Sequence, residues 1–128
     1  MIIGTGIDIL EISRMGEAIK KWGDSFLTKI FTPLEIKYSS SRRFAPQHFA
    51  ARFAAKEAVV KAFGEPNKYP IKWTDIEVLN DAEGKPVIKF HATAMRAKKK
   101  KCVGDVVVSM SHSKKYAVAN AILIKGKR

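Results

Sequence analysis

Arg52-Phe53-Ala54-Ala55-Lys56-Glu57-Ala58-Val59-Val60-Lys61-Ala62-Phe63-Gly64 is the stretch whose reading decides the fold. Strong helix formers fill it, and Gly64 stands where a helix C-cap is expected. On a helical wheel Phe49, Phe53, Val60 and Phe63 form one apolar stripe, and Ala51, Ala55, Ala58 and Ala62 form a second roughly opposite. A helix that is apolar or small on two opposed sides has no ordinary solvent face and is expected to be buried. Yet Lys56 falls inside the phenylalanine stripe, while Glu57 and Lys61 lie at its edge, one turn apart. Charges rarely occupy so buried a setting without partners, so this conflict marks where function is expected.

Outward from this helix, Pro46 is expected near its first turn, preceded by Arg42-Arg43 and the serine run Ser39 to Ser41. Thr32-Pro33-Leu34-Glu35 is a capping box that starts a shorter helix, and Ser13 caps another running to Trp22 and ended by Gly23. Met1 to Ile12 alternates as a strand. Its Ile3, Thr5, Ile7 and Ile9 face is expected on the core, with Gly4, Gly6, Asp8 and Leu10 on the other. The two glycines flatten that second face beside a carboxylate, so another backbone or a ligand can approach. Asp8 is then either a site residue or a strand-end acid bonding to nearby amides. Gly4-Thr5-Gly6 fails the dinucleotide fingerprint, because Ile9 stands where a third glycine is needed.

Beyond Gly64, Glu65 to Pro70 reads as a loop, Trp73 to Leu79 as a strand, Asn80 to Gly84 as a turn and Val87 to His91 as a second strand. Ala92 to Lys101 is helical by composition. Its four terminal lysines read as a solvated end that complements the helix dipole, in preference to a binding patch. Val103 to Ser111 and Tyr116 to Ile124 form a hairpin candidate, with His112 at the strand end and a basic end, Lys125 to Arg128, expected to fray. No repeat or linker interrupts the 128 residues, so the expected architecture is one α+β domain, with a small mixed or antiparallel sheet packed on the long helix.

The chain carries 24 Lys and Arg against 12 Asp and Glu, a net charge of +12. Such a field draws polyanions without choosing among nucleic acid, phosphorylated small molecules, an anionic membrane or an acidic protein. One cysteine, Cys102, excludes an internal disulfide and fits a reducing compartment. No signal peptide is expected, since Gly4, Gly6 and Asp8 interrupt the first apolar stretch, and no run reaches the roughly 20 apolar residues of a membrane span. The expected setting is the cytoplasm.

Nucleophile elbow, Cys-x-x-Cys, Walker loop and His-Glu-x-x-His motifs are all absent. What remains is Asp8, Glu57, the lysines beside it, and the Ser109-Met110-Ser111-His112 strand end. Two carboxylates with cationic neighbours suit a hard divalent ion shared with phosphate oxygens. The structural alternative is an i, i+4 ion pair between Glu57 and Lys61, worth about 0.2–0.5 kcal/mol. A small basic nucleic-acid-binding module is the rival from another class, although no recognised nucleic-acid motif appears.

Gly6-Ile7-Asp8 with Glu11 and Arg14, then Arg52-Phe53-Ala54-Ala55-Lys56-Glu57-Ala58 with Lys61-Ala62-Phe63-Gly64, closely resembles the holo-acyl-carrier-protein synthases, the short bacterial-type 4′-phosphopantetheinyl transferases. The resemblance continues through Asp75-Ile76-Glu77-Val78, Gly84-Lys85-Pro86 and Ser109-Met110-Ser111-His112, and so spans nearly the whole chain. It implies that fold, and transfer of 4′-phosphopantetheine from coenzyme A to a serine of an acidic apo-acyl carrier protein in fatty acid biosynthesis. It also implies Mg2+ held by Asp8 and Glu57, with Lys61 as the third catalytic residue. Arg52, Lys56, Lys61, Ser111 and His112 would contact coenzyme A, and Arg14 the carrier protein. A homotrimer with sites between subunits is implied too, and would explain a helix without a free face. Neither nucleic acid nor membrane is an expected partner.

Overall fold

The computed structural model describes residues 1–127; Arg128, the last of the basic end expected to fray, lies outside the described residues. In chain order the elements are β1 (Ile2–Glu11), α1 (Ile12–Trp22), α2 (Asp24–Ile30), α3 (Pro33–Ser40), α4 (Ala45–Phe63), a 3₁₀ turn (Trp73–Asp75), β2 (Ile76–Asn80), β3 (Pro86–Phe90), α5 (Ala92–Lys100), β4 (Val103–His112) and β5 (Tyr116–Lys125). The strands make two antiparallel sheets, a three-stranded one in the order β1-β5-β4 and a two-stranded one, β2-β3. The α+β class expected from the sequence is observed. Three elements differ from expectation: α1 begins at Ile12 with Glu11, not Ser13, at its N-cap; α2 is an added helix; and Trp73 to Asp75 form a 3₁₀ turn ahead of a strand that begins only at Ile76.

The sheet meets α4 through small residues. Ala117, Ala119 and Ala121 of β5 point at the helix and are buried, and they pair with Leu10, Asp8 and Gly6 of β1. A Cβ built on Gly6 would stand 2.0 Å from the Ala58 carbonyl oxygen, and one on Gly4 would stand 2.3 Å from that of Ala62. Only glycine fits where the helix backbone lies directly on the strand. From Gly4 onward the expected facing of β1 is therefore reversed, whereas Ile3, beside a register shift, packs against the core as expected. Gly4, Gly6, Asp8 and Leu10 look toward the core, while Ile7 and Ile9 are 65% and 63% exposed. Alternation tells which residues share a face; here the thinner face wins the core because backbone contact with α4 needs it.

Helix α4 is buried along most of its length by its own chain, packed on β1, β5, β4, β2, α1 and α3. Its missing polar face thus has an explanation inside one protomer. Ahead of it, the Thr32–Glu35 capping box forms as expected: Thr32 Oγ1 accepts from the Glu35 amide at 3.3 Å, and Glu35 Oε1 accepts from the Thr32 amide at 2.8 Å. The loop after Gly64 is pinned by Tyr69, buried against Phe63, and Lys98 and Lys101 lie over the rings of Phe90 and Tyr69.

Candidate active site

Asp8 leaves β1 on the face that α4 covers. Four helix residues separate the two glycine contacts, Ala58 and Ala62, against two strand residues, Gly6 and Gly4. Both steps advance about 6 to 7 Å, so continuing them sets Asp8 opposite Ala54, three residues before Glu57. Lys61, one turn further on, reaches across: its Nζ donates to Asp8 Oδ1 at 2.8 Å and to the Ile7 carbonyl at 3.1 Å. Glu57 Oε1 accepts from the Trp73 indole N–H. The structural alternative, an i, i+4 pair between Glu57 and Lys61, is not among the ion pairs of the described residues; Lys61 pairs with Asp8 instead.

The two lysines of this helix differ in kind. The Lys61 side chain is 52% exposed, and an ion pair so open to water is worth about 0–1 kcal/mol, so it can leave Asp8 for an arriving phosphate. Lys56 has no exposed surface. Its ammonium donates to Glu35 Oε1 at 2.7 Å, the Trp73 carbonyl at 2.9 Å and the Ile76 carbonyl at 2.5 Å. Burial pulls its pKa down and the Glu35 carboxylate opposes that fall. Removing one partner from a buried pair costs about 3–5 kcal/mol, which fixes Lys56 in place. Its expected role as a coenzyme A contact does not fit this geometry, since all three ammonium donors are used inside the protein.

Arg52 is likewise buried, and donates to Asn80 Oδ1 at 2.6 Å with its guanidinium 4.1 Å from the Tyr38 ring centre. Its Nε has no partner among the described residues, and burial holds its pKa below the ordinary value. The expected contact to substrate therefore has no free surface on Arg52 in one protomer. Glu77, in the same interior, accepts from Thr32 Oγ1 at 2.5 Å and lies 3.1 Å from His91 Nε2. Burial would raise its pKa, but these hydrogen bonds and the charges of His91 and Lys89 outweigh that and hold it low.

Ser111 and His112 were expected to act together, but neighbouring strand residues point to opposite faces. His112 shares the α4 face with Ala117 and Leu10, whereas Ser111 shares the far face with Val118 and Ile9. On the α4 side the His112 ring lies 6.1 Å from His48 in the first half of that helix, and His48 packs edge-on against Tyr38. Burial, then Arg52, His112 and Arg42, lower the His48 pKa. The sequence reading missed His48 and Tyr38; a histidine one turn ahead of Arg52 was the available signal. Arg14 stands exposed in the first turn of α1, as expected.

The profile of the 4′-phosphopantetheinyl transferase superfamily matches residues 4–121. The chain belongs to this superfamily. It is 44% identical over 123 residues to a holo-[acyl-carrier-protein] synthase of Koribacter versatilis, covering 96% of this chain and 98% of that one. A namesake from Syntrophus aciditrophicus is also 44% identical, covering 96% of each chain. Among solved structures, holo-[acyl-carrier-protein] synthase from Neisseria meningitidis superposes with a TM-score of 0.89 at 30% identity, over 98% of this chain and 100% of that one. The Bacillus anthracis enzyme, solved in complex with CoA (3′,5′-ADP), superposes with a TM-score of 0.79 at 34% identity, over 98% and 99%.

For a phosphopantetheinyl transferase the oxygen donors on the α4–β1 contact have a consistent chemistry. Asp8 Oδ2 and Glu57 Oε2 have no hydrogen-bond partner among the described residues. No group of three or more His, Cys, Asp or Glu converges among the described residues. Two hard carboxylates without a third protein ligand fit a magnesium ion whose other positions go to water and phosphate, and do not fit a closed structural metal cage.

Proposed function

We propose that this chain transfers the 4′-phosphopantetheine arm of coenzyme A to a serine hydroxyl of apo-acyl carrier protein, releasing adenosine 3′,5′-bisphosphate. The carrying observation is the meeting of Asp8 and an exchangeable Lys61 beside Glu57, in a chain similar over nearly its full length to holo-[acyl-carrier-protein] synthases. A new bond forms between the serine oxygen and phosphorus, the pyrophosphate P–O bond to the leaving group breaks, and the serine proton is released. Asp8 and Glu57 would hold the metal. When bound there, magnesium would supply positive charge against the negative charge that develops on the leaving group. Lys61, whose exposed pair with Asp8 is exchangeable, would offer its ammonium to a phosphate oxygen of the substrate. His112 serves phosphate recognition from the far end of the same face. The test is a paired assay in which adenosine 3′,5′-bisphosphate release and carrier modification rise together, one for one.

The carrier is acidic, so a chain of net charge +12 gains in encounter rate at low salt. Arg14, with Lys20, Lys21 and the exposed Trp22 along α1, offers the docking edge. No helix among the described residues is long and apolar enough to cross a membrane. The lone cysteine fits a cytoplasmic setting, where the product would feed fatty acid synthesis.

The same reading includes a homotrimer with shared sites. Its support is the outer face of the three-stranded sheet, where Ile7, Ile9 and Val107 are 65%, 63% and 51% exposed beside Ser109 and Ser111. A partner there would cover an apolar patch and bring Ser111 into a site that its own chain cannot form around Asp8. Ile9→Asp is expected to turn a trimer into monomers by analytical ultracentrifugation and to cut transfer at least about tenfold. Wild-type protein sedimenting as an active monomer would contradict the shared site.

A further inference from the structure

The Glu57 carboxylate is bonded to one short turn, which α4 itself grips through the neighbouring Lys56. The Trp73–Asp75 3₁₀ turn has no fully buried residue of its own. Polar anchors hold its backbone at both ends. Lys56, next to Glu57 on α4, donates to the carbonyls of Trp73 at 2.9 Å and Ile76 at 2.5 Å, clasping both ends of the turn from inside. On the other side the Asp75 carbonyl accepts from the His91 amide at 2.8 Å. The Trp73 ring is 39% exposed and packs edge-on against Phe53, with centroids 5.3 Å apart, one turn before Glu57. Its indole N–H is spent on Glu57 Oε1.

From this geometry we infer that Trp73 is a positioning residue for the Glu57 carboxylate, and that Lys56 acts through it by fixing the turn. The inference rests on the reading of Glu57 as a metal ligand. An indole N–H is a donor only, so it binds one carboxylate oxygen and leaves Oε2 without a partner among the described residues, available to a cation. A glutamate on a helix otherwise loses several rotamers when it takes up a ligand; the indole removes that freedom beforehand. Such outer contacts to ligating side chains are typically worth about 10–100-fold in metal affinity. Lys56 then has a reason to be buried at the centre of this helix without touching substrate.

Trp73→Phe keeps the ring against Phe53 and deletes only the N–H. The magnesium concentration giving half-maximal transfer is expected to rise about 10–100-fold, more than the rate at saturating magnesium falls, with the melting temperature close to wild type. A second readout needs no turnover. In 15N-labelled wild-type protein, Mn2+ alone is expected to broaden the Trp73 indole N–H resonance at concentrations that leave Trp22 sharp, and Glu57→Gln should shift that resonance and abolish the selective broadening. Unchanged magnesium half-saturation in Trp73→Phe, while Glu57→Gln loses transfer, would overturn the positioning role and leave Glu57 as a ligand. Unchanged magnesium dependence in Glu57→Gln itself would overturn the ligand reading and the inference with it.

Discussion

Asp8→Asn and Glu57→Gln are each expected to lower phosphopantetheine transfer by at least about 10²–10³-fold, the size of loss when one electrostatic contact to developing charge is deleted. Both substitutions keep shape and remove charge. Asp8 is held only by an exposed Lys61, and Glu57 by the Trp73 N–H, so neither carboxylate is part of the buried ion-pair network. Melting temperatures should therefore stay near wild type while activity collapses. The double variant should be scarcely worse than either single one, because two ligands of one metal act as a unit. The measurement is transfer rate against magnesium concentration, with a parallel thermal melt. Near-normal turnover in either variant at the same magnesium requirement would place the metal elsewhere.

Gly6→Ala is expected to cost about 3 kcal/mol or more, at or beyond the upper end of ordinary overpacking, and to lower the melting temperature by about 10 °C or more. The new Cβ would stand 2.0 Å from the Ala58 carbonyl oxygen and 2.7 Å from the Ala62 amide nitrogen. Both are backbone atoms of α4, so no rotamer change relieves the clash; the helix must lift from the strand. Asp8 lies two residues along, so activity should fall further than the unfolded fraction explains. Gly16→Ala is the control. A Cβ there meets only Pro46 side-chain atoms at 3.7 Å, in ordinary contact, and replacing a helical glycine should be neutral or stabilising. Thermal melts of the two variants side by side decide the point.

Much of the fold was legible because its signals are local. The Thr32–Glu35 box and Gly64 mark helix boundaries within a residue or two, and the hairpin of β4 and β5 follows from alternation. The facing of β1 was not legible in the same way. Both of its faces carry apolar or small residues, and hydrophobicity alone favours the isoleucine face for the core. The deciding signal was a match between elements: glycines two apart on a strand, and alanines four apart on a helix. Lys56 was misjudged for a related reason. Spacing put a lysine on an apolar stripe but could not reveal that Glu35, already spoken for as a capping residue, also pairs with it from 21 positions away. Asp8, Glu57 and the lysines beside it were legible as a possible ion and phosphate site from residue type, and the family resemblance gave them their roles. Their joint position rests on the α4–β1 contact, which is long-range. Trp73, read as the start of a strand, gave no sign of its bond to Glu57.

The most direct measurement of the transfer reaction is the intact mass of an apo-acyl carrier protein incubated with this protein, magnesium and coenzyme A. The predicted result is a gain of one phosphopantetheine group per carrier, absent without magnesium and absent when Ala replaces the carrier's acceptor serine. A folded protein that leaves the mass of several apo-carriers unchanged would contradict the account.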